Sequence, residues 1–238
     1  MKLDGKSLRE KVFEIQIRLM SQDRFAKPAV CDECLELIKL LDDKDAALEL
    51  KRMLIPHLID LGRVNDLKAC AESLSASDDY HYQLCAYQVY SMIAKRDGDF
   101  VKCIDFINQG IGLAERHNDK MALVEGYFMR SKEYIACKRY DEALTELNRL
   151  IPLAVECNNY NLIAASKYYI GVVLFAMGHD SLGKEKLREA SNLAHEQGCR
   201  EIIMHTEVVR ALFLLREGQN DVAKRILASW YDEFGMML

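Results

Sequence analysis

"LAERHND" (residues 113–119), "LAVECNN" (153–159) and "LAHEQGC" (193–199) each open on Leu-Ala and run into a polar exit, so one phrase returns at 113, 153 and 193. A second register accompanies the first. The polar breaks "RDGDFVKCI" (96–104), "CKRYDEALT" (137–145), "MGHDSLGKE" (177–185) and "EGQNDVAKR" (217–225) set Gly98, Lys138, Gly178 and Gly218 at that same spacing. Cys103, Ala143, Gly183 and Ala223 keep the interval too. Self-similarity at a fixed period of this length marks supersecondary units stacked one on the next, because one such unit cannot bury its apolar face alone.

Between the breaks the apolar spacing is helical. Tyr140, Ala143, Leu144, Leu147, Leu150, Ile151 and Ala154 follow i, i+3, i+4, i+7. Over 80–95, Tyr82, Leu84, Cys85, Tyr87, Val89, Tyr90, Met92 and Ile93 form a broad stripe without strict alternation. Gly, Asp and Asn in the breaks stop one helix and cap the next. Each repeat therefore reads as two antiparallel helices, with a small residue early in the second helix where the backbones approach. "LGRVNDLKA" (61–69) and "SQDRFAKPA" (21–29) read as two earlier breaks, with Val64 and Phe25 in the slots of Phe100 and Tyr140.

The expected fold is all-α, a right-handed superhelix of six stacked antiparallel helical hairpins. It forms one domain over 1–238, with degenerate N-terminal hairpins over 1–76 and four 40-residue repeats over 77–238. Pro56 and Pro152 fall inside helical patterns and are expected to kink or interrupt them.

The segments "SKYYIGVVLFAMGHDSLGKEKLREA" (166–190) and "YFMRSKEYIACKRYDEALTEL" (127–147) resemble the tetratricopeptide repeat (TPR) family. Gly171, Leu174, Gly178, Leu187 and Ala190 occupy its signature slots. Gly183 stands where the family usually has alanine, and Trp230 fills a slot that is normally small. The period exceeds the family's usual length of about 34 residues. Stretched repeats of this kind are similar to those of bacterial regulatory and sensor TPR proteins, including peptide-sensing Rap- and PlcR-type regulators. The resemblance implies a TPR-like α-solenoid and says little about activity.

Bulk composition narrows the function classes. The chain has 238 residues, half of them hydrophobic and 29% charged, with only three prolines, which suits a folded protein. Net charge is −5, so no global positive field attracts nucleic acid. The locally basic stretch 1–27 lacks interleaved aromatics and any groove-reading motif. No apolar run reaches the length of a membrane span, and the charged N-terminus lacks the apolar core of a signal peptide. Eight cysteines set inside helical patterns, without an export signal, point to reduced thiols in a cytoplasm.

Fragments that invite chemistry lack their partners. "GKS" (5–7) has no upstream phosphate-loop glycine, and "GIGLAE" (110–115) lacks the third glycine of a dinucleotide fingerprint. "HEQGC" (195–199) lacks the second histidine of a zinc-protease helix. "CDEC" (31–34) has no second Cys/His pair for zinc and reads as structural thiols, with a redox or metal role as the alternative. No catalytic residue, metal ligand or cofactor is assigned. A Rap-type phosphatase would need a catalytic glutamine on an N-terminal bundle, and none is matched.

Function is therefore expected on the concave face formed by the first helix of each hairpin. The repeat register puts Gln88, Met92 and Lys95 there, followed by Phe128, Lys132 and Ile135. Tyr168, Val172 and Phe175 come next, and then Val208, Leu212 and Leu215. TPR relatives that hold an acidic carboxylate tail use a Lys/Asn clamp. Gln88/Met92 and Tyr168/Val172 occupy those slots here, so an apolar or amphipathic peptide or protein segment is the expected partner, with Phe128 and Tyr168 as anchors. The same residues also read as inter-repeat core. The apolar end "ILASWYDEFGMML", with Trp230, Phe234 and Leu238, points to a homodimer contact or a downstream domain. The leading function is a non-catalytic protein- or peptide-binding regulator or adaptor. The alternative is a ligand- or peptide-sensing domain of a larger signalling protein, of the transcription-regulator or diguanylate cyclase type.

Overall fold

The computed structural model describes residues 8–20 and 27–234. Among them are twelve α-helices and no strand: α1 (Leu8–Met20), α2 (Lys27–Lys39), α3 (Lys44–Asp60), α4 (Val64–Ser75), α5 (Tyr80–Arg96), α6 (Phe100–Arg116), α7 (Lys120–Ala136), α8 (Tyr140–Glu156), α9 (Tyr160–Ala176), α10 (Asp180–Glu196), α11 (Arg200–Arg216) and α12 (Asn220–Phe234). From α5 to α11 every helix has 17 residues, and the first helices α5, α7, α9 and α11 open at evenly spaced positions, Tyr80, Lys120, Tyr160 and Arg200.

Local chemistry sets the ends. Asp79 and Asp119 cap α5 and α7 by accepting hydrogen bonds from the backbone N–H groups of His81 and Ala122, and Asn159 accepts from Leu162 to start α9. In the repeats, helices stop at residues with positive φ, most of them glycines and two of them Asn118 and Asn158. The exception is Lys138, at φ 58°. Its N–H donates to Ile135 (2.9 Å) and the Arg139 N–H donates to Tyr134 (2.8 Å), which is a Schellman closure. A lysine Cβ is strained there. Lys138→Gly is expected to raise stability by about 1 kcal/mol, and an unchanged or lower urea midpoint would count against the strain.

The recurring small residues are where helices meet. Ala114, Ala154 and Ala194 of the Leu-Ala phrases are fully buried, as are Ala143 and Ala223, with Cys103 nearly so. Where α9 meets α10, a Cβ added to Gly183 would lie 3.0 Å from the Gly171 carbonyl oxygen. Pro56 and Pro152 do not interrupt their helices: α3 and α8 run through them. Both lie on exposed positions in the last turns, and each deprives one carbonyl of its donor, that of the exposed Arg52 or Asn148.

The chain divides into two compact units, Met1–Leu113 and Ala114–Leu238. In the first, α3 contributes Leu50, Leu54 and Leu58 to a core shared with Cys31, Cys34 and Leu37 of α2, with Leu67 and Leu74 of α4, and with Val89 of α5. In the second, consecutive helices from α7 to α12 pack pairwise. First helices also meet first helices, α3 against α5 in one unit and α9 against α11 in the other, as hairpin stacking requires. Among the described residues no helix is long and apolar enough to cross a membrane. Phe25, the "GKS" segment, the Trp230 and Phe234 side chains and the C-terminal Met236–Leu238 lie outside what is described.

Candidate functional site

In the second unit, α7, α9 and α11 bring the expected face residues to the surface in graded fashion. Phe128, Ile135, Tyr168, Val172, Phe175 and Val208 are half-buried, and Lys132 is exposed. Leu212 and Leu215 are exposed leucines, at 46% and 40%. The two readings of these side chains are thus combined. Phe128 and Tyr168 pack on a core of Ala164, Ala165, Ala194, Ile202 and Ile203 while keeping part of their rings outside. Tyr168, Val172 and Phe175 do the same against Leu187, Val209 and Phe213.

The rings form a line across three helices. Phe128 meets Tyr169 edge-on with centroids 5.5 Å apart, Tyr169 meets Tyr168 at 5.1 Å, and Tyr168 stacks on His205 at 5.6 Å. Burial, with Tyr169 adding to it, pushes the Tyr168 phenol above its ordinary pKa, so it stays a neutral donor. Cations lie over Phe128 and over Phe175. Lys132 Nζ lies 5.7 Å from the Phe128 centroid, and the Arg216 guanidinium lies 4.4 Å over Phe175. The surface is an apolar aromatic strip edged with positive charge.

Tyr169 and His205 are absent from the sequence-based selection. His205 falls one helical turn before Val208 on the same face, which was the available signal. Tyr169 follows Tyr168 directly and falls off the strict register. Only packing reveals that its ring bridges Phe128 and Tyr168.

In the first unit, α5 carries Gln88 half-buried, with Met92 and Lys95 exposed. The neighbouring α3 supplies a polar cluster instead of rings. Arg52 donates twice to Glu49, at 2.9 and 2.5 Å, and the Tyr82 hydroxyl donates to the same carboxylate at 3.4 Å. The Arg52 hydrogen bonds hold the Glu49 carboxyl below the usual range. Among the described residues no group of three or more His, Cys, Asp or Glu is arranged to hold a metal ion.

Cys31 and Cys34 are fully buried in α2. Burial, with Cys31 and Cys70 adding, pushes the Cys34 thiol from the ordinary 9.0 up to about 12, and burial takes Cys70 to about 11. Thiols held protonated in this way are poor nucleophiles at neutral pH. Their folded-state pKa exceeds the unfolded one, so the stabilisation is fully present below pH 9.0 and is lost as pH rises through about 11 to 12. The urea midpoint is expected to fall across that window, and Cys34→Ala to flatten the fall. Equal slopes for the two chains would contradict the assignment.

No family model matches the chain, and no curated protein matches it. Solved structures do match. Aspartyl phosphate phosphatase F from Bacillus subtilis aligns at a TM-score of 0.81 and 10% identity, over 96% of this chain and 60% of that one. A Rap protein complexed with competence and sporulation factor aligns at 0.72 and 14%, over 98% and 66%. PlcR from Bacillus thuringiensis, in complex with the peptide PapR7 and DNA, aligns at 0.62 and 17%, over 86% and 77%. At such identities the likeness establishes the fold: this is a TPR-like, all-α helical-repeat protein. The chain spans 60% of the length of phosphatase F.

Proposed function

We propose that the chain is a non-catalytic peptide- or protein-binding regulator, a single repeat domain of the long-period TPR kind, acting in the cytoplasm. The observation carrying this reading is the strip of Phe128, Tyr168, Tyr169 and His205 beside exposed Leu212, with Lys132 over the Phe128 ring. Half-buried aromatic anchors with exposed apolar neighbours suit the apolar face of an amphipathic helix or an extended peptide. The Lys132 ammonium favours ligands with acidic residues beside that face. Gln88, Met92 and Lys95 of the first unit, and Val172 of the second, belong to the same proposed class of contact. Two of the similar structures hold PapR7 or competence and sporulation factor, which supports a peptide partner. The alternative is a peptide- or ligand-sensing part of a larger signalling protein, favoured by the fraction of phosphatase F that the chain spans.

The test avoids Phe128 and Tyr168, whose half-buried rings also support the core. Peptides selected from a displayed library on the wild-type chain are expected to share apolar residues at helical spacing beside acidic ones. Leu212→Glu and Lys132→Glu should each weaken them about tenfold or more, while stability stays within about 0.5 kcal/mol of wild type. Peptides that bind both variants unchanged would place recognition elsewhere.

A further inference from the structure

A second surface, separate from the aromatic strip, lies in the crevice between α10 and α11, which encloses about 420 Å³. Its floor includes Leu187 and Phe213, both nearly buried. The repeat supplies an internal comparison. At the matching positions one repeat earlier, α8 and α9 carry Leu144, Ile151, Ile170 and Met177, and the floor positions are Leu147 and Val173. In α10 and α11 the floor stays apolar, but those four positions become Lys184, Ser191, Arg210 and Glu217. Four positions that are apolar in one inter-hairpin joint are thus polar in the next, around a floor that stays apolar. A concave joint with an apolar floor and convergent polar groups can hold a small molecule by its apolar body and one polar end.

The charges on the walls are mostly spoken for. Lys184 pairs with Glu217, and Arg210 pairs with Glu207 at 3.1 Å. Arg188, also on the wall, has no hydrogen-bond or ion-pair partner among the described residues, and neither does the adjacent Asn192. One uncommitted guanidinium beside one free amide matches a single carboxylate.

We propose that the α10–α11 crevice binds a small organic monoanion, its carboxylate on Arg188 and its apolar body over Leu187 and Phe213. The volume suits a metabolite-sized acid and is too small for an amphipathic helix. This inference does not rest on the peptide-binding reading of the first-helix face.

The experiment titrates the full chain, labelled at leucine methyl groups, with phenylbutyrate, isovalerate and the uncharged phenylbutanol at millimolar concentrations. At least one acid is expected to shift the Leu187 and Leu214 methyl resonances saturably, and phenylbutanol to bind more weakly than phenylbutyrate. Arg188→Gln should weaken the acid about tenfold, the loss of one charge-assisted contact. Restoring the residues of the preceding joint, Ser191→Ile with Arg210→Ile, should abolish the shifts while thermal unfolding remains cooperative. The proposal is overturned if neither acid gives saturable shifts at these methyls, if phenylbutanol binds as well as phenylbutyrate, or if the cooperatively folded double variant still binds.

Discussion

Gly183→Leu is expected to destabilise the chain by about 3 kcal/mol, at the upper end of the overpacking range. A Cβ on Gly183 would stand 3.0 Å from the Gly171 carbonyl oxygen and 3.3 Å from the Phe175 nitrogen. Both obstacles are backbone, so no rotamer change relieves them. Helix propensity pulls the other way, since replacing a mid-helix glycine ordinarily gains about 0.5–1 kcal/mol. The contact wins because α9 and α10 cannot separate without opening the core that Leu187 and Phe213 share with Tyr168, Val172 and Phe175. Gly110 supplies the contrast. Its added Cβ would meet the Tyr87 Cβ at 3.7 Å, an ordinary contact, so Gly110→Ala should stabilise by about 0.5–1 kcal/mol. Urea unfolding of both variants decides the matter. A Gly183→Leu chain with the wild-type midpoint would mean that α9 and α10 do not approach this closely.

Arg130→Met should cost about 3 kcal/mol at neutral pH. Its guanidinium meets Glu146 at 2.8 Å, with side chains only 14% and 11% exposed. Removing the cation leaves a carboxylate in a place poorly reached by water. It also takes away one of the two guanidiniums flanking the buried Tyr127 ring, Arg149 remaining at 4.4 Å. The double variant Arg130→Met/Glu146→Leu should recover most of the loss, because a buried pair contributes little beyond an apolar pair of similar volume. Additive losses in the four-member cycle would show that Arg130 and Glu146 act independently.

Both expectations come from positions that the sequence treats unequally. Gly183 announces itself, since it falls in a register of small residues at 103, 143, 183 and 223. Arg130 does not: a charged residue on a helix ordinarily reads as solvated, and nothing local pairs it with Glu146 on the next helix. The face residues lie between these cases. Repeat register puts Phe128, Lys132, Tyr168 and Leu212 on the first helices, and those helices do carry them. Exposure then separates them, because Leu212 stands free while Tyr168 is half held by Val209 and Leu187. The prolines show the limit of local rules. Pro56 and Pro152 carry a helix-breaking signal, yet each removes only one donor, near a helix end and on an exposed face.

The sequence by itself determined helix, turn and period. Capping residues, positive-φ stops and i, i+3, i+4 spacing act within a few positions of chain, and a fixed period repeats them in a legible register. Tertiary structure alone decided which of these side chains do something beyond holding helices together. The ring line through Tyr169 and His205, the Arg130–Glu146 pair and the open joint around Arg188 all depend on distances between different helices. Such distances follow from how whole hairpins pack, and no short stretch of chain encodes them.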